Sequence, residues 1–345
     1  MRLKLVFSYD GSKFQGSQTQ PHENGVEDAL SAALAHVGIF SKIISSSRTD
    51  KGVHANNQVA CVECGEHFSD FARLKALINR HAHPAVHVKF ISRVQDCFHP
   101  RYDATARAYR YVINHGEFSP FLAPYETFLP KFDLNLANEL LALFVGEHDF
   151  SALMKLGSDV KSPVRRVKKA FCYARGERSI IVFKANGFLR AQVRLMVASI
   201  LKALELAKNG KFKETDALEF KFERAQKAKP DGKANLNQNS RDDVLITNSE
   251  SANLAKFEKN ANLTAEHAEH VASKFDAKNS NLNEVARIDT EKIRAKIGNK
   301  NSSGCRDVNF LKAKELLRRA IYEQKPLTRI PAPPNGLYLN RVFYE

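Results

Sequence analysis

Apolar positions along the chain repeat with two periods, and the periods alternate in an order that is used twice. Leu3, Leu5 and Phe7 recur at every second residue, the spacing of a strand with one buried face. Val26, Ala29, Leu30, Ala33, Leu34 and Val37 follow at helical spacing. Short strands are predicted near Lys42–Ser46 and Gln58–Cys64, a helix over Phe71–Arg80, and a fourth strand at Val86, Val88 and Phe90. The order is βαββαβ. It returns as a strand near Arg107–Ile113, a helix at Leu136–Val145, and two strands near Val164–Tyr173 and Ile180–Lys184 with Gly176 between them. A long helix from about Phe188 to Leu206 and a last strand at Leu337–Tyr344 complete the second set. The expected class is α+β, with two ferredoxin-like halves whose open sheets flank a cleft. The halves are expected at residues 1–104 and 105–345.

The second half is interrupted at about 208–306, where Asn, Lys, Ala and Ser dominate, as in Lys233-Ala234-Asn235-Leu236-Asn237-Gln238-Asn239. So sparse an apolar content offsets little ordering entropy, so this stretch reads as a surface insertion. A helical pattern resumes at Leu311-Lys312-Ala313-Lys314-Glu315-Leu316-Leu317, and either Lys208–Ala225 or Cys305–Ala320 could supply the last helix of the second half.

The formal net charge of +15 points to a polyanionic partner, most simply nucleic acid. Its location sharpens the point. Residues 207–310 hold 19 basic against 16 acidic side chains, which leaves 34 against 22 on the other 241 residues. The excess lies on the body of the protein. No apolar run approaches the roughly 18 residues of a membrane helix, and the first ten residues reach a charge too soon for a secretory signal, so the cytoplasm is expected. Of five cysteines only Cys61 and Cys64 are close, and no second pair follows to complete a zinc site. They read as small, partly buried strand residues.

Candidate chemistry gathers in Ser47-Arg48-Thr49-Asp50-Lys51-Gly52-Val53-His54, between the second and third strands. Alone, Arg-Thr-Asp-Lys-Gly is an ordinary turn. The crowding of Arg48, Asp50, Lys51 and His54 argues for more, because a carboxylate among cations is kept as the anion and can act as a nucleophile. In Arg107-Ala108-Tyr109-Arg110-Tyr111, alternation puts Arg107, Tyr109 and Tyr111 on one sheet face, either a platform for stacking bases or an edge strand with amphipathic tyrosines. Gly187 is expected to open the long helix, with Leu189, Val193, Met196 and Val197 toward the core and Arg190 and Arg194 together on one face. An arginine on an apolar helix needs an anionic partner, and Asp50 is a candidate.

Together these segments resemble the TruA family of tRNA pseudouridine synthases over nearly the whole chain outside the insertion. The resemblance rests on six stretches in the family's order. They are Tyr9–Gly16 with Gln18-Thr19-Gln20, Ser47–Val59, Phe98–Tyr111, Gly146–Phe150, Phe188–Arg194 and Pro333–Leu339. Ser17 stands where the family usually has Trp, the chain has no Trp at all, and the insertion is foreign to the pattern. The resemblance implies isomerisation of uridine to pseudouridine in the tRNA anticodon stem-loop, at positions 38, 39 and 40, without metal or cofactor, by a homodimer with no membrane attachment. It makes Asp50 the nucleophile on the sugar C1′ or the uracil C6, with Arg48 or Arg194 neutralising and aiming it. Tyr109 would stack on the target base or assist removal of its C5 proton, with Arg107, His54 and Leu337 as further substrate contacts. Two other readings compete. One is a basic RNA-binding protein of the same fold without chemistry. The other is a phosphodiesterase using His54 with His81, His83 or His99.

Overall fold

A computed structural model describes residues 1–19, 21, 24–158, 160–210 and 302–345, all within one compact unit. Most of the predicted insertion therefore lies outside the described residues. The strands are β1 (Arg2–Tyr9), β2 (Ile44–Ser45), β3 (His54–Glu63), β4 (Val86–Val94), β5 (Ala106–Asn114), β6 (Thr127–Phe128), β7 (Gly146–Asp149), β8 (Val164–Arg175), β9 (Arg178–Ala185) and β10 (Leu337–Phe343). The helices are α1 (Val26–Ala35), α2 (Phe71–Ala82), α3 (Leu134–Ala142), α4 (Gln192–Asn209) and α5 (Ser302–Tyr322).

Strand alternation was read correctly, and β1 shows why. Leu3, Leu5, Phe7 and Tyr9 are buried while their neighbours are half-exposed. The same period leads from Tyr109 and Tyr111 on β5 to their register partners Phe183 and Ile181 on β9, all buried. Helix α2 starts at an Asp70 side chain that accepts the Arg73 N–H, and α3 at an Asp133 that accepts from Asn135 and Leu136, the usual remedy for unpaired first-turn donors. Helix α5, which holds the second of the two candidate segments, packs on α4 and α3, while most of the first lies outside the described residues.

Two expectations changed. The two sheets are one, in the order β4-β1-β3-β10-β5-β9-β8-β7, with β2 added on β3 and β6 on β5. Strand β10 is the joint: it runs antiparallel to β5 and pairs in parallel with β3 through Tyr338 opposite His54 and Leu339 opposite Ala55. Alternation tells which face of a strand is buried but not which neighbour its edge will find. The long helix begins at Gln192, not near Phe188. Ala191 sits at φ 58°, a left-handed conformation that a helix cannot pass through, so Arg190 lies outside the helix and shares no face with Arg194. The short strands β6 and β7 carry too few apolar residues to have been anticipated.

Candidate active site

The loop from Ser46 to Val53 is fastened at Ser46, Ser47, Thr49 and Val53. Ser46 donates from its backbone to Val59 O (2.8 Å) and from its hydroxyl to Gln58 Oε1 (2.7 Å), and Gln58 Nε2 donates back to Ser47 O (2.8 Å). Thr49 is held from the N-terminal segment. Its N–H donates to Ser17 Oγ (2.8 Å), its carbonyl accepts from Ser17 N (3.1 Å), and its hydroxyl lies 2.8 Å from Tyr9 Oη. Val53 N closes the turn onto Asp50 O at 3.1 Å. Gly52 has φ 77°, and a Cβ there would meet Pro334 Cγ at 3.0 Å, so both conformation and space call for glycine.

Out of this loop Asp50 projects toward the other half of the chain. Its Oδ2 accepts from Arg194 Nη1 at 3.2 Å, with the Arg194 side chain 16% and the Asp50 side chain 31% exposed. The guanidinium is itself aimed by a 2.6 Å bond from Nε to Ala332 O, and Ala332 N returns a 3.0 Å bond to Arg194 O. A planar fork serving two acceptors holds its orientation better than a point charge can. The carboxylate thus has a fixed direction and an open side. The sequence-level pairing of Asp50 with Arg194 is present as a contact.

The other predicted residues separate. Tyr109 is buried beneath the loop at 7% exposure, edge-on to Phe188 at 5.2 Å between centroids. Burial pushes its phenol up to about 12, with Ser47 and Asp50 among the groups it senses. Arg48 is exposed, with no hydrogen bond or ion pair among the described residues, and is free to meet a phosphate. Arg107 is buried and turned onto backbone carbonyls. Leu337 is a core residue paired with Tyr111.

His54 departs furthest from expectation. It is 2% exposed, its Nδ1 accepts from Gly11 N (3.0 Å), and its Nε2 donates to Pro124 O (3.0 Å). Its ring stacks on Tyr338 at 4.8 Å, and burial holds its pKa below the ordinary value. Both nitrogens are engaged and the ring is neutral, so it offers no acid or base to a phosphodiester. Its work is to pin the first half onto β10 and the segment before β6.

Sequence reasoning missed the supports: Ser17, Tyr9 and Gln58 around the loop, and Ala332 behind Arg194. A backbone carbonyl as the partner of an arginine leaves no residue-type signal to find.

A profile of the family described as tRNA pseudouridine synthase matches residues 5–103 and 140–256. The chain belongs to the tRNA pseudouridine synthase family. A protein of Campylobacter jejuni subsp. jejuni serotype O:6 named tRNA pseudouridine synthase A is 52% identical over 219 residues, 64% of this chain and 90% of that relative. Proteins of the same name from Wolinella succinogenes and Helicobacter hepaticus are 38% and 40% identical, over 58% and 57% of this chain and 79% and 82% of theirs. Among the described residues no helix is long and apolar enough to cross a membrane.

Proposed function

We propose that this pseudouridine synthase isomerises uridine in the anticodon stem-loop of tRNA, at positions 38, 39 and 40, with Asp50 as the nucleophile. The observation that carries the reading is the Asp50–Arg194 contact at 3.2 Å, made by a locked loop of one half and a helix start of the other. A surface that only bound RNA would gain nothing from an aimed carboxylate facing phosphates.

The target uridine must first leave the helix stack, at a cost on the order of a few kcal/mol. Exposed Arg48 and Lys51 beside Asp50 offset part of that through phosphate contacts that weaken with salt. Asp50 then attacks the sugar C1′ or the uracil C6, the C1′–N1 bond breaks, the freed ring turns to bond C5 to C1′, and the bond to Asp50 breaks to return the carboxylate. Loss of the C5 proton and protonation of N1 balance the isomerisation. Burial holds the Tyr109 phenol in its neutral form, its pKa pushed up to about 12. In this reading Tyr109 is the stacking surface for the target base.

The strand orders β4-β1-β3-β2 and β10-β5-β9-β8 support reading residues 1–104 and 105–345 as two ferredoxin-like units. The same reading makes the protein a cytoplasmic homodimer. The decisive test is Asp50→Ala: tritium release from C5-labelled tRNA is abolished, while tRNA binding stays within a few fold. Full turnover by that variant would end the assignment.

A further inference from the structure

We infer that Arg107 is a positioning residue for the catalytic loop and does not touch the RNA. The argument is an account of donors. A guanidinium has five N–H groups, and each of Arg107's has an acceptor inside the protein. Nε donates to Ser47 Oγ (3.1 Å), Nη1 to Asn186 O (2.9 Å) and Ala104 O (3.4 Å), and Nη2 to Ser46 O (3.2 Å) and Arg101 O (2.6 Å). Nothing remains for a phosphate or a base edge. The side chain is 9% exposed and makes no ion pair with a carboxylate among the described residues. A cation buried without a counter-ion is costly unless dipoles surround it, and here five oxygens do so.

The acceptors belong to three segments that must agree for the site to form. Ser46 and Ser47 begin the loop that carries Asp50. Asn186 begins the segment leading through Ala191 to Arg194. Arg101 and Ala104 form the turn before β5, which carries Tyr109. One side chain thus sets the spacing between nucleophile, aiming cation and base-stacking wall. Because a displacement of about 1 Å at a reacting group can cost on the order of a hundredfold in rate, loss of this clamp should appear in turnover before it appears in binding.

This inference rests on the reading of Asp50 as nucleophile, and the experiment separates the two. Arg107→Lys keeps the charge but has three donors on a flexible stem. Its single-turnover rate on transcript tRNA is expected to fall about tenfold to a hundredfold. Its tRNA dissociation constant should stay within about threefold, and the slope of log affinity against log salt should not change. A residue contacting phosphate would instead lower that slope by about one, since each contact releases close to one counter-ion. Ser47→Ala, which removes the Nε acceptor together with the hydroxyl that Tyr109 senses, is the second variant should Arg107→Lys fail to fold. It should slow turnover several-fold with binding unchanged. Wild-type turnover in the variant measured, or a loss confined to affinity with a shallower salt slope, overturns the inference. Activity surviving in Asp50→Ala would instead remove the nucleophile reading on which it stands.

Discussion

Arg194 is the residue at which the geometry makes its strongest quantitative claim. Replacing it with Met keeps length and apolar stem but removes both bonds of the guanidinium. Ala332 is fully buried, so its carbonyl loses a partner without gaining water, at a cost of about 1–3 kcal/mol. The Asp50 side chain is 31% exposed and rehydrates, so the ion pair itself contributes only about 0–1 kcal/mol. The sum, roughly 1–4 kcal/mol, corresponds to a lowering of Tm by about 2–16 °C for a unit of this size. The effect on catalysis should be of similar size. A carboxylate no longer aimed loses on the order of a hundredfold in single-turnover rate, about 2.7 kcal/mol of barrier. Arg194→Lys should fall between, because an ammonium can meet Asp50 or Ala332 O but not both in one plane. Calorimetry gives the first number and tritium release under single-turnover conditions the second. A Met variant that melts lower yet turns over at the wild-type rate would refute the claim that this arginine aims the nucleophile. So would Lys and Met variants of equal activity.

Acid should weaken the fold through His54. Its folded pKa lies below the ordinary 6.5, chiefly through burial, so the unfolded chain takes up that proton first. The stability it contributes is complete above about pH 6.5 and is lost as pH falls below it; His54→Gln should flatten the slope of Tm between about pH 5 and 6.5. Gly52→Ala places a side chain at φ 77° with its Cβ 3.0 Å from Pro334 Cγ. It should cost about 1–2 kcal/mol in denaturant unfolding and slow turnover, since the strain falls two residues from Asp50.

Much of this was legible because burial on one face of a strand or helix leaves a period in the sequence. Leu3, Leu5 and Phe7 announced β1, and the charged Ser47–His54 stretch announced a loop out of keeping with a simple turn. Arg194 on an apolar helix called for an anion, and Asp50 is that anion. What left no trace were relations between backbones. The parallel contact of β10 with β3 joins segments some 280 residues apart, through main-chain bonds that any residue can make. Arg107 and His54 looked like ligands because their residue types suit substrates. Their donors are instead spent on carbonyls of Asn186, Ser46 and Pro124, and no residue type marks a carbonyl as an acceptor in waiting.

Ser17 shows how a departure from a family pattern can be settled locally. It stands where Trp is usual, directly behind the Asp50 loop, and its replacement by a small residue would be expected to leave the loop less supported. Yet it is 2% exposed, and its hydroxyl and its N–H both bond to Thr49, one residue before Asp50. An indole has a donor but no acceptor, so it could not take the Thr49 N–H. Gly16 lets this ladder close, because at φ 127° it brings its backbone against Thr49 O, which would lie 3.3 Å from any added Cβ. Two hydrogen bonds at one residue's remove from the proposed nucleophile fix the loop backbone in direction as well as position, which apolar packing alone does not do. The tolerance of this position is therefore a matter of which force holds Thr49, and the position of Asp50 follows from Thr49 in either case.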